Sequence, residues 1–278
     1  MLENKLVSGL DIDLSIYGLG IIKQPKIIQL TSLPFEDFIS PFIMLDRLYD
    51  KIQEESDSYQ EISKLYLFAE AEILSQKIIE SEREQDKKAR FFDPYIERKR
   101  YYGFIDKITS VLCLLYDCSE SDLNIQQEDE GFLFYIKDKA IIDKDNFDVL
   151  LKVIYKMFDV DITSILSQEE DEWVEVTGSE REKKLIEKFK KKSEERKKRE
   201  SLHLCDYINY VVLQNNIDYN SVLNWTYYQL IKFFQAKILI ERQDFEKAIF
   251  SSMRSNLKAD EITDWKKELK IKIDESIY

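Results

Sequence analysis

The chain has 278 residues and ordinary hydrophobic content, 44%, so it can bury a sizeable core and, by length, form two domains rather than one. Charged residues make up 34% and the formal net charge is −13, which argues against a protein that coats nucleic acid or an anionic membrane. Cys113, Cys118 and Cys205 lack CxxC spacing and His203 is the single histidine, so there is no Cys/His zinc set and a reducing compartment is expected.

The N-terminus carries no apolar signal-peptide core, and no run approaches the ~20 apolar residues of a spanning helix, so neither export by a standard signal nor membrane insertion is expected. Met1 to Leu33 mixes β-branched residues with early glycines. Asp11 to Tyr17 alternates loosely, Gly18 and Gly20 interrupt it, and Lys26 to Leu30 is a short apolar run, which together predict a hairpin or two short strands. Between Pro34 and Pro41 helical spacing begins at Phe35, Phe38, Phe42 and Leu45 and continues through Leu48 and Ile52, with Pro41 marking a new helix start or a kink.

Glu61 to Arg90 reads as a long helix with Ile62, Leu65, Phe68 or Ala69, Glu72 or Ile73, Gln76 and Ile79 down one side. A second helix restarts around Tyr95 and carries Tyr102, Ile105, Ile108, Leu112 and Leu115 to Tyr116, with Arg90 to Pro94 as the turn of a helical hairpin. Beyond Asp117 the period changes. Phe132 to Ile136 and Ala140 to Ile142 flank the polar Lys137-Asp138-Lys139, a β-hairpin pattern, and Asp143 or Asp145 is placed to cap a helix holding Phe147, Leu150, Leu151, Ile154 and Phe158.

Residues 164–180 are acidic, poor in apolar side chains and closed by Thr177-Gly178-Ser179, the composition of a linker between a first domain, 1–163, and a second, 181–278. From Arg181 to Arg199 the charge inverts to a basic helix anchored only by Leu185, Ile186 and Phe189. Clustered Lys and Arg suit phosphates, but no aromatic platform or DNA-binding motif accompanies them; a solvated spacer, or a segment meeting the acidic Glu169 to Glu175, is the plainer reading.

After Gly178 there is neither Gly nor Pro for one hundred residues, which favours helix throughout. Ser201 is placed to cap a helix with Leu204, Ile208, Val211 and Val212 on its apolar face. Thr226 and Gln229 have capping-box spacing ahead of Tyr227, Leu230, Ile231, Phe234 and Ile238, and Asp244 could cap a further helix with Phe245, Ala248, Ile249 and Met253. Polar joints at Asn215 to Asn220 and Arg242 to Gln243 would separate them, and Trp225 and Trp265 are the largest surfaces to fill the cluster. The expected fold is mainly α, with a small α+β N-terminal portion and a helical C-terminal module.

The run Leu202-His203 to Tyr207-Ile208, the polar turn, the Asn224-Trp225-Thr226-Tyr227-Tyr228-Gln229-Leu230 segment, the helix pair and the closing Asp264-Trp265 resemble the C-terminal module of tail assembly chaperones of tailed bacteriophages. The strands at Phe132 to Ile136 and Ala140 to Ile142, with the helix and basic segment after them, share that look, so the resemblance covers roughly the second half of the chain. It implies a non-enzymatic protein of the host cytoplasm that binds the tape measure protein and tail tube subunits during tail assembly. No catalytic residue, metal or cofactor comes with it, and self-association is compatible with it.

Catalytic chemistry has little footing elsewhere. Carboxylate pairs such as Glu70 with Glu72 or Glu128 with Glu130 arise by abundance in an acidic chain, and residues two apart on a helix do not face each other. No phosphate-binding loop or nucleophile elbow is present, and His203 reads as a helix-start residue rather than a ligand. Trp225, Tyr227, Tyr228, Phe233 and Phe234 are five aromatics in ten residues, more than one buried face holds. Trp225, Tyr227, Tyr228, Lys232 and Phe233 therefore form the candidate partner-binding set, with Tyr228, Lys232 and Phe233 on a second, outward face. The alternative of a different class keeps the fold but makes the protein a structural tail or baseplate component, with those rings in a fixed subunit interface of the virion.

Overall fold

The computed structural model describes residues 2–31, 36–55, 63–89, 103–128, 131–161 and 203–251. The chain divides into two compact units, Met1–Ser201 and Leu202–Tyr278, each taken here by itself. It is mainly α, with nine α-helices among the described residues and a small α+β portion in the first unit. The expected acidic linker at 164–180, the basic helix at 181–199 and the hairpin turn at 90–94 lie outside the described residues, as do Tyr95 to Tyr102, Ser201 and Trp265.

The first unit opens with helix α1 (Leu2–Ser8), where hairpin signals had suggested strand. Leu2 and Leu6 stand four apart, and Gly9, at a φ of 66°, ends the turn. Only two-residue strands follow, β1 (Ile12–Asp13) and β2 (Ile21–Ile22), paired antiparallel with Ile12 opposite Ile22. The apolar run after Pro25 is helix α2 (Ile27–Leu30) rather than strand, its first turn closed by Gln29 Oε1 accepting from the Lys26 N–H at 2.8 Å.

Helix α3 (Glu36–Glu55) passes through Pro41 without a new start, burying Phe38, Phe42 and Leu45 as their spacing predicts. Helix α4 (Phe68–Ala89) follows a 3₁₀ turn at Lys64–Leu67. That tighter turn moves the buried side to Phe68, Ala71, Ser75 and Ile79, and leaves Ile73, one of the positions expected inside, exposed. Helix α5 (Phe104–Tyr116) starts at Gly103, whose missing Cβ leaves room for the Glu72 carboxylate. Glu72 Oε2 accepts from the Ile105 N–H at 2.8 Å and Oε1 from Gln76 Nε2 at 2.7 Å, so one member of the Glu70/Glu72 pair caps the next helix.

The sheet has three antiparallel strands, β3 (Leu123–Glu128), β4 (Gly131–Ile136) and β5 (Ala140–Ile142), in that order. Strands β4 and β5 are the expected hairpin, with Phe134 opposite Ile142 and Ile136 opposite Ala140, all four buried. The polar turn uses Asp138 at a φ of 56°. Strand β3 was not foreseen, because Leu-Asn-Ile-Gln-Gln-Glu offers only two apolar residues. It forms because the aromatic β4 presents a backbone edge to pair with. Helix α6 (Phe147–Met157) follows Asn146, which makes no side-chain cap bond; Asp143, one of the two expected caps, accepts through Oδ1 from the Asp145 and Asn146 N–H groups at 2.9 and 3.1 Å.

Phe68 is the centre of the core. Its ring meets those of Phe104, Phe132, Phe134 and Phe147 at centroid distances of 5.0, 5.8, 5.5 and 5.5 Å, joining α4, α5, the sheet and α6. Beside it the buried carboxylate of Asp46 on α3 accepts from Tyr155 Oη on α6 and from Lys64 Nζ, which also lies 3.8 Å from Asp148. Burial first, and then Asp46, push the Tyr155 phenol above its ordinary range, so it stays a donor.

The N-terminal segment is tied to the C-terminal end of α5. The Lys23 N–H donates to the Leu115 carbonyl at 2.7 Å, Tyr116 Oη donates to the Leu19 carbonyl at 2.9 Å, and Lys23 Nζ reaches Asp117 at 2.5 Å, holding that carboxyl below its usual range. Lys139 Nζ donates to the Tyr116 and Asp117 carbonyls at 2.5 and 2.8 Å, a cation at the negative end of the helix. Gly20 sits at a φ of 62° with the Lys139 carbonyl where a Cβ would fall.

Candidate functional site

The second unit is built on helices α7 (Leu204–Asn215), α8 (Tyr219–Leu223) and α9 (Tyr227–Phe250). His203 is the N-cap of α7, its backbone N–H donating to Asp206 Oδ2 at 2.8 Å, which makes it a helix-start residue as its sequence position suggests. Asn216, left-handed at a φ of 53°, closes α7, and Asp218 caps α8 inside what reads as a polar joint. The capping box before α9 is present in full: Thr226 Oγ1 accepts from the Gln229 N–H at 3.2 Å, and Gln229 Oε1 accepts from the Thr226 N–H at 2.9 Å.

Helix α9 does not stop at Arg242 and Gln243. Arg242 Nε donates to Glu246 Oε1 at 2.8 Å and Lys247 Nζ to Gln243 Oε1 at 3.0 Å, so these polar residues are i,i+4 partners on an uninterrupted helix. Tyr227, Ile231, Phe234, Ile238, Phe245 and Ile249 then fall on one stripe, since each step is close to a whole number of turns.

The first half of that stripe is covered. Phe234 receives the rings of Tyr207 and Tyr210 edge-on at 4.7 and 5.0 Å, and Tyr210 Oη donates to Glu241 Oε2 at 2.7 Å. Loss of hydration and then the Glu241 carboxylate push the Tyr210 phenol up to about 12. Among the described residues the second half is left exposed. Helix α7 has 12 residues and α9 has 24. At ~1.5 Å per residue these are lengths of ~18 and ~36 Å, so α9 outruns its neighbour by several turns. Beyond Glu241, where α7 last reaches it, Phe245 is 67% exposed and Ile249 37%, and Ile238, within the reach of α7, is 40% exposed. The expectation that Phe245 and Ile249 pack into the cluster is therefore corrected: they ride past the end of the helix that would have covered them.

The candidate partner-binding residues fall into two pairs. Trp225 and Phe233 are both half-buried and lie against each other, centroids 5.3 Å apart. Tyr228, expected to face outward, is buried at 2% exposure. Lys232, one turn along, sets its ammonium 5.4 Å above that ring and donates to Gln235 Oε1 at 3.1 Å. Tyr227 is half-buried at the start of the main stripe. The surplus of rings is thus partly absorbed within the unit; along the α9 stripe the exposed positions are Ile238, Phe245 and Ile249, while Leu213, Tyr219 and Phe250 are exposed off it. Sequence reasoning missed the far end of the stripe because Arg242-Gln243 looked like a joint; continuing the stripe across them would have found it.

Helix α4 of the first unit also exposes Ile73, Leu74 and Ile78, whereas the α9 residues extend a stripe that a neighbouring helix packs against over its first half. Among the described residues no group of three or more His, Cys, Asp or Glu side chains is arranged to hold a metal, and no helix is long and apolar enough to cross a membrane. Comparison with protein-family models, with curated proteins and with solved structures gives no match.

Proposed function

We propose that the protein is a non-enzymatic, helix-accepting binding protein that acts as a tail assembly chaperone, its C-terminal unit holding an amphipathic helix of a tape measure protein. The observation that carries this reading is the uncovered second half of the α9 stripe, with Phe245 at 67% exposure. Up to Glu241 that stripe is packed by a helix, and the remaining ~9 residues, ~13 Å, offer the same surface to another. A tape measure protein is a source of long amphipathic helices whose bare stripes would aggregate. Trp225, Tyr227, Lys232 and Phe233, half-buried beside the stripe, are the remaining partner contacts in this reading, and Tyr228 supports them from beneath.

The test is co-purification of the protein with a tape measure fragment from the same virus, using Phe245→Ser and Ile249→Ser. Both residues are exposed, so the helical circular dichroism signal should be unchanged while the yield of complex falls at least ~10-fold. Undiminished capture by the double variant would overturn the reading. Recovery of the protein in purified particles would instead make it a structural tail component.

A further inference from the structure

The end of helix α5 brings two cysteines together. Asp117 is left-handed, at φ 48° and ψ 58°, and the Cys118 N–H donates to the Cys113 carbonyl at 3.0 Å, while the Asp117 N–H reaches the Leu114 carbonyl at 3.4 Å. This is the Schellman arrangement, in which the side chains of the first and last residues meet across the turn. Here those residues are Cys113 and Cys118, both free thiols and both half-buried. The backbone bond between them holds their α-carbons within the ~4–7 Å that a disulfide spans.

We propose that Cys113 and Cys118 are a redox-active dithiol, an oxidation site that a low-molecular-weight disulfide such as oxidised glutathione converts to an intramolecular disulfide. Burial first, and then Cys118, push the Cys113 thiol up to about 12, so Cys113 is the poorer nucleophile at neutral pH and Cys118 attacks first. The Cys118 thiolate displaces one glutathione thiolate and keeps the other as a mixed disulfide. Cys113 then loses its proton to solvent and attacks the Cys118 sulfur, and the second glutathione thiolate leaves. Two protein thiols are oxidised and one small disulfide is reduced to two thiols, which balances the electron pair.

The location gives the bond a consequence. The carbonyls of Leu115, Tyr116 and Asp117 receive Lys23 N–H and Lys139 Nζ, so the turn that the disulfide closes also anchors the N-terminal segment and the β4–β5 turn. Oxidation would lock that junction, which is already formed with both thiols free.

The experiment equilibrates the full chain carrying Cys205→Ser, which removes the exposed third thiol, in glutathione redox buffers, folded and in urea. Trapped species are read by intact mass and peptide mapping. The expected result is a loss of two hydrogens mapped to a Cys113–Cys118 link, with an equilibrium constant at least ~10-fold higher for the folded chain than for the unfolded one. Adding Cys113→Ser should leave Cys118 as a glutathione adduct. An equal or lower constant in the folded chain, or a stable adduct at Cys118 with Cys113 still free, would overturn the proposal. Cys205→Ala provides the same background should the serine variant fold poorly.

Discussion

Phe68 and Phe245 are the same residue type in two different situations. Phe68 is enclosed by four other rings where α4, α5, α6 and the sheet converge, and Phe245 stands in solvent on a helix that has outrun its neighbour. In the first unit several elements of different kinds close over one side chain. Among the described residues of the second unit, one long helix lies against one of half its length, which leaves part of the stripe bare. An apolar stripe becomes core or binding surface according to what lies opposite, and its own sequence does not say which.

The contrast can be tested by substitution. Phe68→Ala should have the largest effect, lowering the stability of the first unit by ~4 kcal/mol in urea unfolding, because the surrounding rings belong to four elements and cannot all collapse into the cavity. Phe245→Ser should change stability by less than ~0.5 kcal/mol. Asp46→Ala comes next, at ~3 kcal/mol, since it strips a buried donor and the Lys64 ammonium of their shared acceptor. A smaller loss would mean that Asp148, 3.8 Å from Lys64, takes over.

In the second unit Thr226→Ala should cost about 1 kcal/mol by removing the α9 cap, read as a shift in its thermal midpoint. Tyr210→Phe should cost less, about 0.5 kcal/mol, and its signature is in pH. With the phenol pushed up to about 12 in the fold, the folded unit holds that proton more tightly than an unfolded chain does. The stabilisation is therefore complete below pH ~10 and lost as pH rises through the folded value. The Phe variant should lack that alkaline limb; identical alkaline unfolding curves would show that Tyr210 does not report on the α7–α9 contact.

Much of the helical architecture was legible in residues. Thr226 and Gln229 announced α9, Phe38, Phe42 and Leu45 announced the buried face of α3, and the aromatic run at Phe132 to Ile136 announced a strand. The failures share a cause. Strand β3 has weak strand character of its own and exists because β4 supplies a partner. Pro41 looks like a boundary, yet α3 runs through it, its other side chains packed on neighbouring helices. Tyr228 looked outward on a wheel, but a wheel does not show which residues lie opposite.

The candidate site was half legible. Aromatic surplus around Trp225 pointed to more apolar surface than one face can hide, but the exposed part of the stripe lies about four to seven turns further on, at Ile238, Phe245 and Ile249. The stripe itself continues legibly across Arg242 and Gln243; that its far end stays exposed depends on where α7 begins.

Sequence alone determined the mainly helical class, the capped start of α9 and the apolar stripe of its first half, because caps and periodicity act over a few residues of contiguous chain. Only the tertiary structure decided which stretch of that stripe is covered, that Glu72 serves another helix, and that Cys113 and Cys118 meet across a turn. These depend on side chains brought together by the path of the backbone, and the free energy of such contacts is set by the neighbours that each residue meets.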